Sequence, residues 1–344
     1  MASLHSTPDN LRFFIDARPA LRAGTAVLAA AGILALTFSS AVSAQAYPNR
    51  PIRLIVPFAA GGGSDFVGRL IGQKLTEQLG QQVIVDNRPG AASLVGTEIA
   101  AKGAPDGYTL LLADSGYTIN IAFYKNAKYD PLKDFEPVSV IAETPYILVA
   151  QPNIPGGGTL KELIALAKAN PGKYSIGSAG NGSGTHLSGE LFRLSAGINM
   201  IHVPYKSVGG SIADVVGGQI HSTMTSLAPA LPLVKAGRLK VMGAAASKRH
   251  AVLPDVPTFA EAGVKDVVVT NWYSVIATGG TPPAVVKRLE DEIHKAVATP
   301  EFKERLQAVA LDPAPNTPEQ FRKMIAGEVA RWKRVMGESG IKQE

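Results

Sequence analysis

The sequence predicts an α/β protein made of two doubly wound units facing each other across a cleft. Three observations carry this. Short β-rich runs alternate with amphipathic helical runs early in the chain, and the alternation restarts after a long extended stretch. Glycine-rich loops recur where strands hand over to helices. The length, 344 residues, suffices for two cores of middling size.

In chain order, Ile52 to Val56 reads as a buried strand, followed by the loop from Pro57 to Ser64 with three consecutive glycines. A helix starts near Asp65, places Val67, Leu70, Ile71 and Leu75 on one face, and stops at Gly80. Val83 to Val85 is a second strand, Ser93 to Lys102 a second helix, and Thr109 to Ala113 a third strand. Phe135 to Gln151 is a long extended stretch. The pattern then restarts. Thr159 caps a helix that stops at Asn170-Pro171-Gly172, and Tyr174 to Gly177 is a strand. The loop Gly180 to Thr185 leads into a helix over 186–196. Ile201 to Val203 is a strand, a helix starts at Ser211, and 220–225 and 240–246 read as further strands. Trp272 to Thr278 is a second extended stretch, so crossings between the units are expected near 140–148 and 268–276. Two helices close the chain, one after Thr281-Pro282 and one behind the capping box Thr317-Pro318-Glu319-Gln320. Both are expected to pack back on the first unit. The expected organisation is a first lobe over 47–145, a second over 146–271, and a return to the first over 272–344.

Residues 1–46 read as an export signal. Arg12, Arg18 and Arg22 precede an apolar run from Ala23 to Phe38, and small residues lead to Ala44 and Ala46. The run is shorter than the ~20 residues of a spanning helix. Cleavage after Ala46 opens the mature chain on Tyr47-Pro48, and the expected location is the periplasm.

Composition narrows the chemistry. With no cysteine there is no disulfide framework, thiolate metal site or cysteine nucleophile. The formal charge of +6 is spread without a basic tract, so nucleic acid is not an expected partner. Gly61-x-Gly63 is followed by Phe66, which breaks the dinucleotide fingerprint. Gly172-Lys173 is followed by Tyr174, so no phosphate loop forms, and Ser183 lacks the nucleophile-elbow glycine two residues before it. His186, His202, His221, His250 and His294 are never spaced i,i+4, which argues against zinc. No cofactor is expected.

Four loops remain: Gly61 to Asp65, Pro89 to Ser93, Gly180 to Thr185, and Ser207 to Ser211. Each precedes a helix, whose unpaired N–H groups and partial positive charge make an anion site without a cation. Each is also, by itself, an ordinary structural turn. Asp65 reads as a helix cap or as an orderer of its loop. His186 reads as a ligand donor or as a local hydrogen-bonding residue. Lys206 faces either the cleft or solvent. Trp272 and Tyr273 read as packing at the crossing.

An ordered series of motifs adds to this. It runs Tyr47-Pro48-x-Arg50-Pro51-Ile52, Val56-Pro57-Phe58-x-x-Gly61-Gly62, Asp86-Asn87-Arg88-Pro89-Gly90, Ala104-Pro105-Asp106-Gly107-Tyr108, Asp134-Phe135-x-Pro137-Val138, Gly180 to His186 with Glu190, Val203-Pro204-Tyr205-Lys206 and Pro254-Asp255-Val256-Pro257. Over residues 47–344 the chain thereby resembles the substrate-binding proteins of tripartite tricarboxylate transporters, the Bug family. The resemblance implies a type II periplasmic binding fold, a non-enzymatic monomer, capture of a small carboxylate, and delivery to membrane permease subunits. It implies first-lobe ligand contacts at Phe58, Gly62, Gly63, Ser64, Asp65, Ala91, Ala92, Ser93 and Ser115. In the second lobe it implies Asn181, Ser183, Thr185, His186, Tyr205, Lys206 and Ser226. Ser207-Val208 stand where the family often has glycines, and Ala59-Ala60 where proline or glycine is common, so pocket shape is this chain's own. A co-receptor for a membrane sensor kinase and a periplasmic hydrolase are the competing expectations.

Overall fold

A computed structural model of the chain describes residues 47–154 and 157–343; the export signal expected over 1–46 lies outside the described residues. The first α/β run is β1 (Ile52–Val56), α1 (Gly63–Leu79), β2 (Val83–Asn87), a 3-10 turn (Ala91–Ser93), α2 (Leu94–Ala101) and β3 (Thr109–Asp114). Then come α3 (Gly116–Phe123) and β4 (Phe135–Ala150). The second run is α4 (Leu160–Ala169), β5 (Ser175–Ser178), α5 (Gly184–Ala196), β6 (Ile201–Pro204), α6 (Val208–Val216), β7 (Ser222–Ser226), α7 (Leu227–Lys235) and β8 (Lys240–Ala244). The chain closes with β9 (Thr270–Thr278), α8 (Pro283–Ala298), α9 (Pro300–Gln307), β10 (Asp312–Pro313) and α10 (Pro318–Ser339).

The sheet order has an internal repeat. The first lobe runs β2-β1-β3-β9-β4, with β9 antiparallel to both neighbours. The second runs β6-β5-β7-β4-β8, with β4 antiparallel to both neighbours. In each lobe the first three strands are parallel and wound about the first, and one antiparallel strand is inserted before the fourth. This is the type II binding-protein topology. In such open sheets, ligands sit beyond the carboxyl ends of the parallel strands.

One strand joins the lobes. At about 3.3 Å per residue, the 16 residues of β4 run through both sheets. Its partner changes between Pro145, opposite Thr270 of β9, and Tyr146, opposite Ser226 of β7. The return crossing is alongside: the Tyr146 N–H donates to the Val269 carbonyl at 3.2 Å, and Val269 N–H to the Ala245 carbonyl at 2.8 Å.

The last helix departs from expectation. Phe321 and Ile325 pack with Tyr117, Phe135 and Trp272 in the first lobe. Trp332, Val335 and Met336 enter the cluster built on Leu187, Phe192 and Phe259 of the second. A helix of 22 residues is about 33 Å long at 1.5 Å per residue, enough to cover both lobes. Its start is the expected capping box: Gln320 N–H donates to Thr317 Oγ1 at 3.2 Å, and Thr317 N–H to Gln320 Oε1 at 3.0 Å.

Three further helices, α3, α7 and α9, were not foreseen. Every residue of α3 except Ile121 is buried, which leaves no polar face to reveal a period. Helix α7 carries Pro232 inside it.

Candidate functional site

A cavity of about 170 Å³ lies where the lobes meet. Phe58, Ala92, Asp114, Ser115, Gly116 and Asn271 line it from the first lobe. Tyr146, Ala179, Gly182, Ser183, Gly184, Thr185, Val208 and Ser226 line it from the second. Four helix starts meet there: α3 at Gly116, α5 at Ser183-Gly184, α6 at Val208 and α7 at Ser226. The sequence led us to expect the starts of α1 and α2 in place of α3 and α7. Gly61 and Gly62 instead line a separate depression of about 300 Å³ with Asp65, Arg69 and Arg305.

A chain of hydroxyls and one amide forms the hinge side of the cavity. Ser115 Oγ donates to Asn271 Oδ1 at 3.0 Å and lies 3.0 Å from the Tyr146 hydroxyl. Because the Ser115 proton points to Asn271, Tyr146 is the donor to Ser115. Asn271 Nδ2 donates onward to the Tyr273 hydroxyl at 2.8 Å. Burial raises the pKa of both phenols, so they stay neutral.

Glycine has a structural duty here. A Cβ on Gly184 would stand 2.0 Å from the Tyr146 hydroxyl, and one on Gly63 would stand 2.7 Å from the Tyr273 hydroxyl. The helices α1 and α5 thus begin against tyrosines. Their glycines permit approach of protein to protein, where the sequence suggested approach of ligand to backbone.

The loop before α2 is strained. Ala91, Ala92 and Ser93 have φ of 44°, 48° and 84°, in the left-handed region that non-glycine residues disfavour. Asn120 holds the loop: its Nδ2 donates to the Ala92 carbonyl at 3.0 Å and to Ser93 Oγ at 3.1 Å. Strain of this kind concentrates at ligand sites, and Ala92 lines the cavity. Ala91 is exposed and Ser93 is buried beneath it.

Of the residues expected from sequence, the structure gathers Phe58, Ala92, Ser115, Ser183, Thr185 and Ser226 around the cavity. The others sit outside its lining. Gly62, Gly63 and Ser64 belong to the turn into α1 and its first residues. Asp65 orders the loop before its helix. It accepts from Gly61 N–H at 2.9 Å, Arg69 Nε at 2.9 Å and Asn87 Nδ2 at 3.0 Å. Burial raises its pKa, but these bonds outweigh that and hold it below the usual carboxylate range. Asn87 Nδ2 also donates to the Phe58 carbonyl at 3.0 Å, so Asp65 positions Phe58 indirectly. Asn181 and Lys206 are exposed, and the Tyr205 hydroxyl donates to Asp214 Oδ2 at 2.7 Å.

His186 is buried under its loop. Its ring stacks on His202 with centroids 4.0 Å apart, and its Nδ1 accepts from Gly182 N–H at 3.2 Å. Burial, then the neighbouring His202, lowers its pKa to about 3, so it is neutral. It organises the loop, which is the second of its two sequence readings.

Sequence reasoning missed Asp114, Gly116, Tyr146, Ala179 and Asn271. Asp114 had a usable signal, since it ends β3 at the carboxyl edge where open sheets hold ligands. Tyr146 and Asn271 had none, because their meeting depends on how β4 and β9 cross.

The electrostatics are one-sided. Among the described residues no arginine, lysine or histidine lines the cavity, and Asp114 is its single ionisable carboxyl. Its Oδ1 accepts from Gly116 N–H at 2.9 Å, and burial pushes its pKa up to about 7. Among the described residues no group of histidines and acids is arranged to hold a metal.

Residues 67–341 match the family described as "Tripartite tricarboxylate transporter family receptor". The chain belongs to that family. Its members are receptors rather than enzymes, and so is this chain. This receptor is 36% identical to Protein BugT of Bordetella pertussis over 322 residues, covering 92% of this chain and 98% of that protein. It is similar to a solved R. palustris structure described "with adipate", at 32% identity and TM-score 0.77, covering 86% of this chain and 99% of the other. It is also similar to MatC from Rhodopseudomonas palustris "with bound malate", at 30% identity and TM-score 0.74, covering 84% and 99%.

Proposed function

We propose that this receptor works outside the cytoplasmic membrane, binds a small carboxylate in the cavity between its lobes, and hands it as a monomer to the permease subunits of a tripartite transporter. The observation that carries the reading is the meeting of four helix starts and five hydroxyl side chains, Ser115, Tyr146, Ser183, Thr185 and Ser226, on one small cavity. Backbone N–H groups at helix starts bind anions without a cationic side chain. A charge-assisted hydrogen bond is worth roughly 1.5–3 kcal/mol net. Micromolar affinity needs about 8 kcal/mol, so a handful of such bonds reaches it after ordering costs.

Adipate and malate in the related structures support a short-chain acid as the ligand class. The export signal read in residues 1–46 supports the location. The change of partner in β4 between Pro145 and Tyr146 supports a division into lobes at that point, with the return after Val269.

The test is a thermal-shift panel of mono-, di- and tricarboxylates. At a thousandfold excess over Kd a bound acid adds about 4 kcal/mol of stability. A panel in which no carboxylate raises Tm overturns the proposal.

A further inference from the structure

We propose that Asp114 is a ligand-reading group that takes up one proton as the acid binds, so that this receptor captures a carboxylate and a proton together; this rests on the carboxylate reading above. Asp114 ends β3 and lines the cavity beside Ser115 and Gly116. No cationic side chain in the lining can neutralise it. In a space of about 170 Å³ an entering carboxylate has to settle near a carboxyl already there. Two carboxylates in one site cannot both stay ionised, and one takes a proton.

The titratable groups around Asp114 are phenols. Tyr273 of β9 is its backbone partner, Tyr146 comes from β4, and Tyr129 from the loop after α3. All three feel the charge of Asp114 and stay protonated, so none of them supplies a compensating charge. Once protonated, the Asp114 O–H becomes a donor to the ligand carboxylate, and the repulsion becomes a hydrogen bond. Burial has already brought its pKa to about 7, which keeps the proton within reach near neutrality.

The experiment is isothermal titration calorimetry of the intact protein with succinate, malate, glutarate, adipate and glutamate, in buffers of differing ionisation enthalpy from pH 5.5 to 8.5. The expected result is close to one proton taken up per acid at pH 8.5, falling away as pH drops below 7. Affinity falls about tenfold per pH unit above 7. Asp114→Asn is expected to bind with affinity independent of pH between 7 and 8.5. Binding by wild type without proton uptake at pH 8.5 overturns the inference and leaves the carboxylate reading standing. So does glutamate binding without proton uptake that is lost in Asp114→Asn, since Asp114 then pairs with the ammonium. Absence of binding by every acid at every pH fails the carboxylate reading itself.

Discussion

The Tyr146 hydroxyl stands 3.0 Å from Ser115 Oγ and donates to it. Ser115 precedes α3 in the first lobe, and Tyr146 is the first residue of β4 paired into the second sheet. The bond ties the start of a helix that lines the cavity to the strand on which the lobes are hung. Tyr146→Phe removes this bond and keeps the ring, and Ser115 keeps Asn271 as acceptor. We expect a loss of about 1.5 kcal/mol in ligand binding, roughly tenfold in Kd, with a smaller change in stability. Calorimetry with the tightest acid of the panel, beside thermal unfolding, measures both.

Gly184 sits against the same hydroxyl. A Cβ there would lie 2.0 Å from it, so Gly184→Ala has to displace Tyr146 or the start of α5. Overpacking of this kind costs about 1–3 kcal/mol. Both groups line the cavity, so affinity is expected to drop about a hundredfold. The double variant Gly184→Ala with Tyr146→Phe is expected to recover part of the lost stability. Equal stability of the single and double variants would show that the contact is not what fixes glycine.

Glu328 of α10 is buried in the first lobe. Its Oε2 accepts from Thr118 Oγ1 at 2.8 Å and from Trp272 Nε1 at 3.0 Å. Burial raises its pKa. Gln keeps an acceptor for both donors, so Glu328→Gln is expected to be nearly neutral. Glu328→Leu strands the buried Trp272 N–H, while the Thr118 hydroxyl turns to the Ser115 carbonyl 3.1 Å away, and is expected to cost about 1–3 kcal/mol. Urea unfolding midpoints distinguish the two outcomes.

The His186–His202 stack sets an acid limit on stability. The pKa values of both are lowered, to about 3 and about 4, chiefly by burial. A lowered folded pKa means that stability is full above the unfolded value near 6.5 and is lost as pH falls toward the folded one. The buried His186 alone is expected to lose roughly 2 kcal/mol between pH 7 and pH 5. His186→Gln is expected to flatten that part of the Tm–pH curve, and a curve of unchanged slope would contradict the assignment.

Much of the fold was legible because its strands and long helices carry local signals. The caps at Thr159 and Thr317 and the glycine stop at Gly80 satisfy backbone groups within a few residues of themselves. The site was legible only in part. Ser183 announces itself as the start of a helix after a strand, and it lines the cavity. Asp65 and His186 announce themselves in the same way, but each spends its hydrogen bonds on its own loop. Composition does not distinguish a residue that faces a cleft from one that holds the loop beside it.

The amino-acid sequence by itself determined the two wound units and the family to which the chain belongs. Periodicity, caps and loop glycines act over a few residues, so they can be read in order along the chain. Tertiary structure decided which helix starts converge, that α10 straddles both lobes, and that the glycines of α1 and α5 are there for tyrosines. It also placed Asp114 in a cavity that no cationic side chain lines among the described residues. These depend on where β4 changes sheets and β9 returns. That brings Ser115, Tyr146 and Asn271 together from distant parts of the chain, through side-chain contacts that no local pattern encodes.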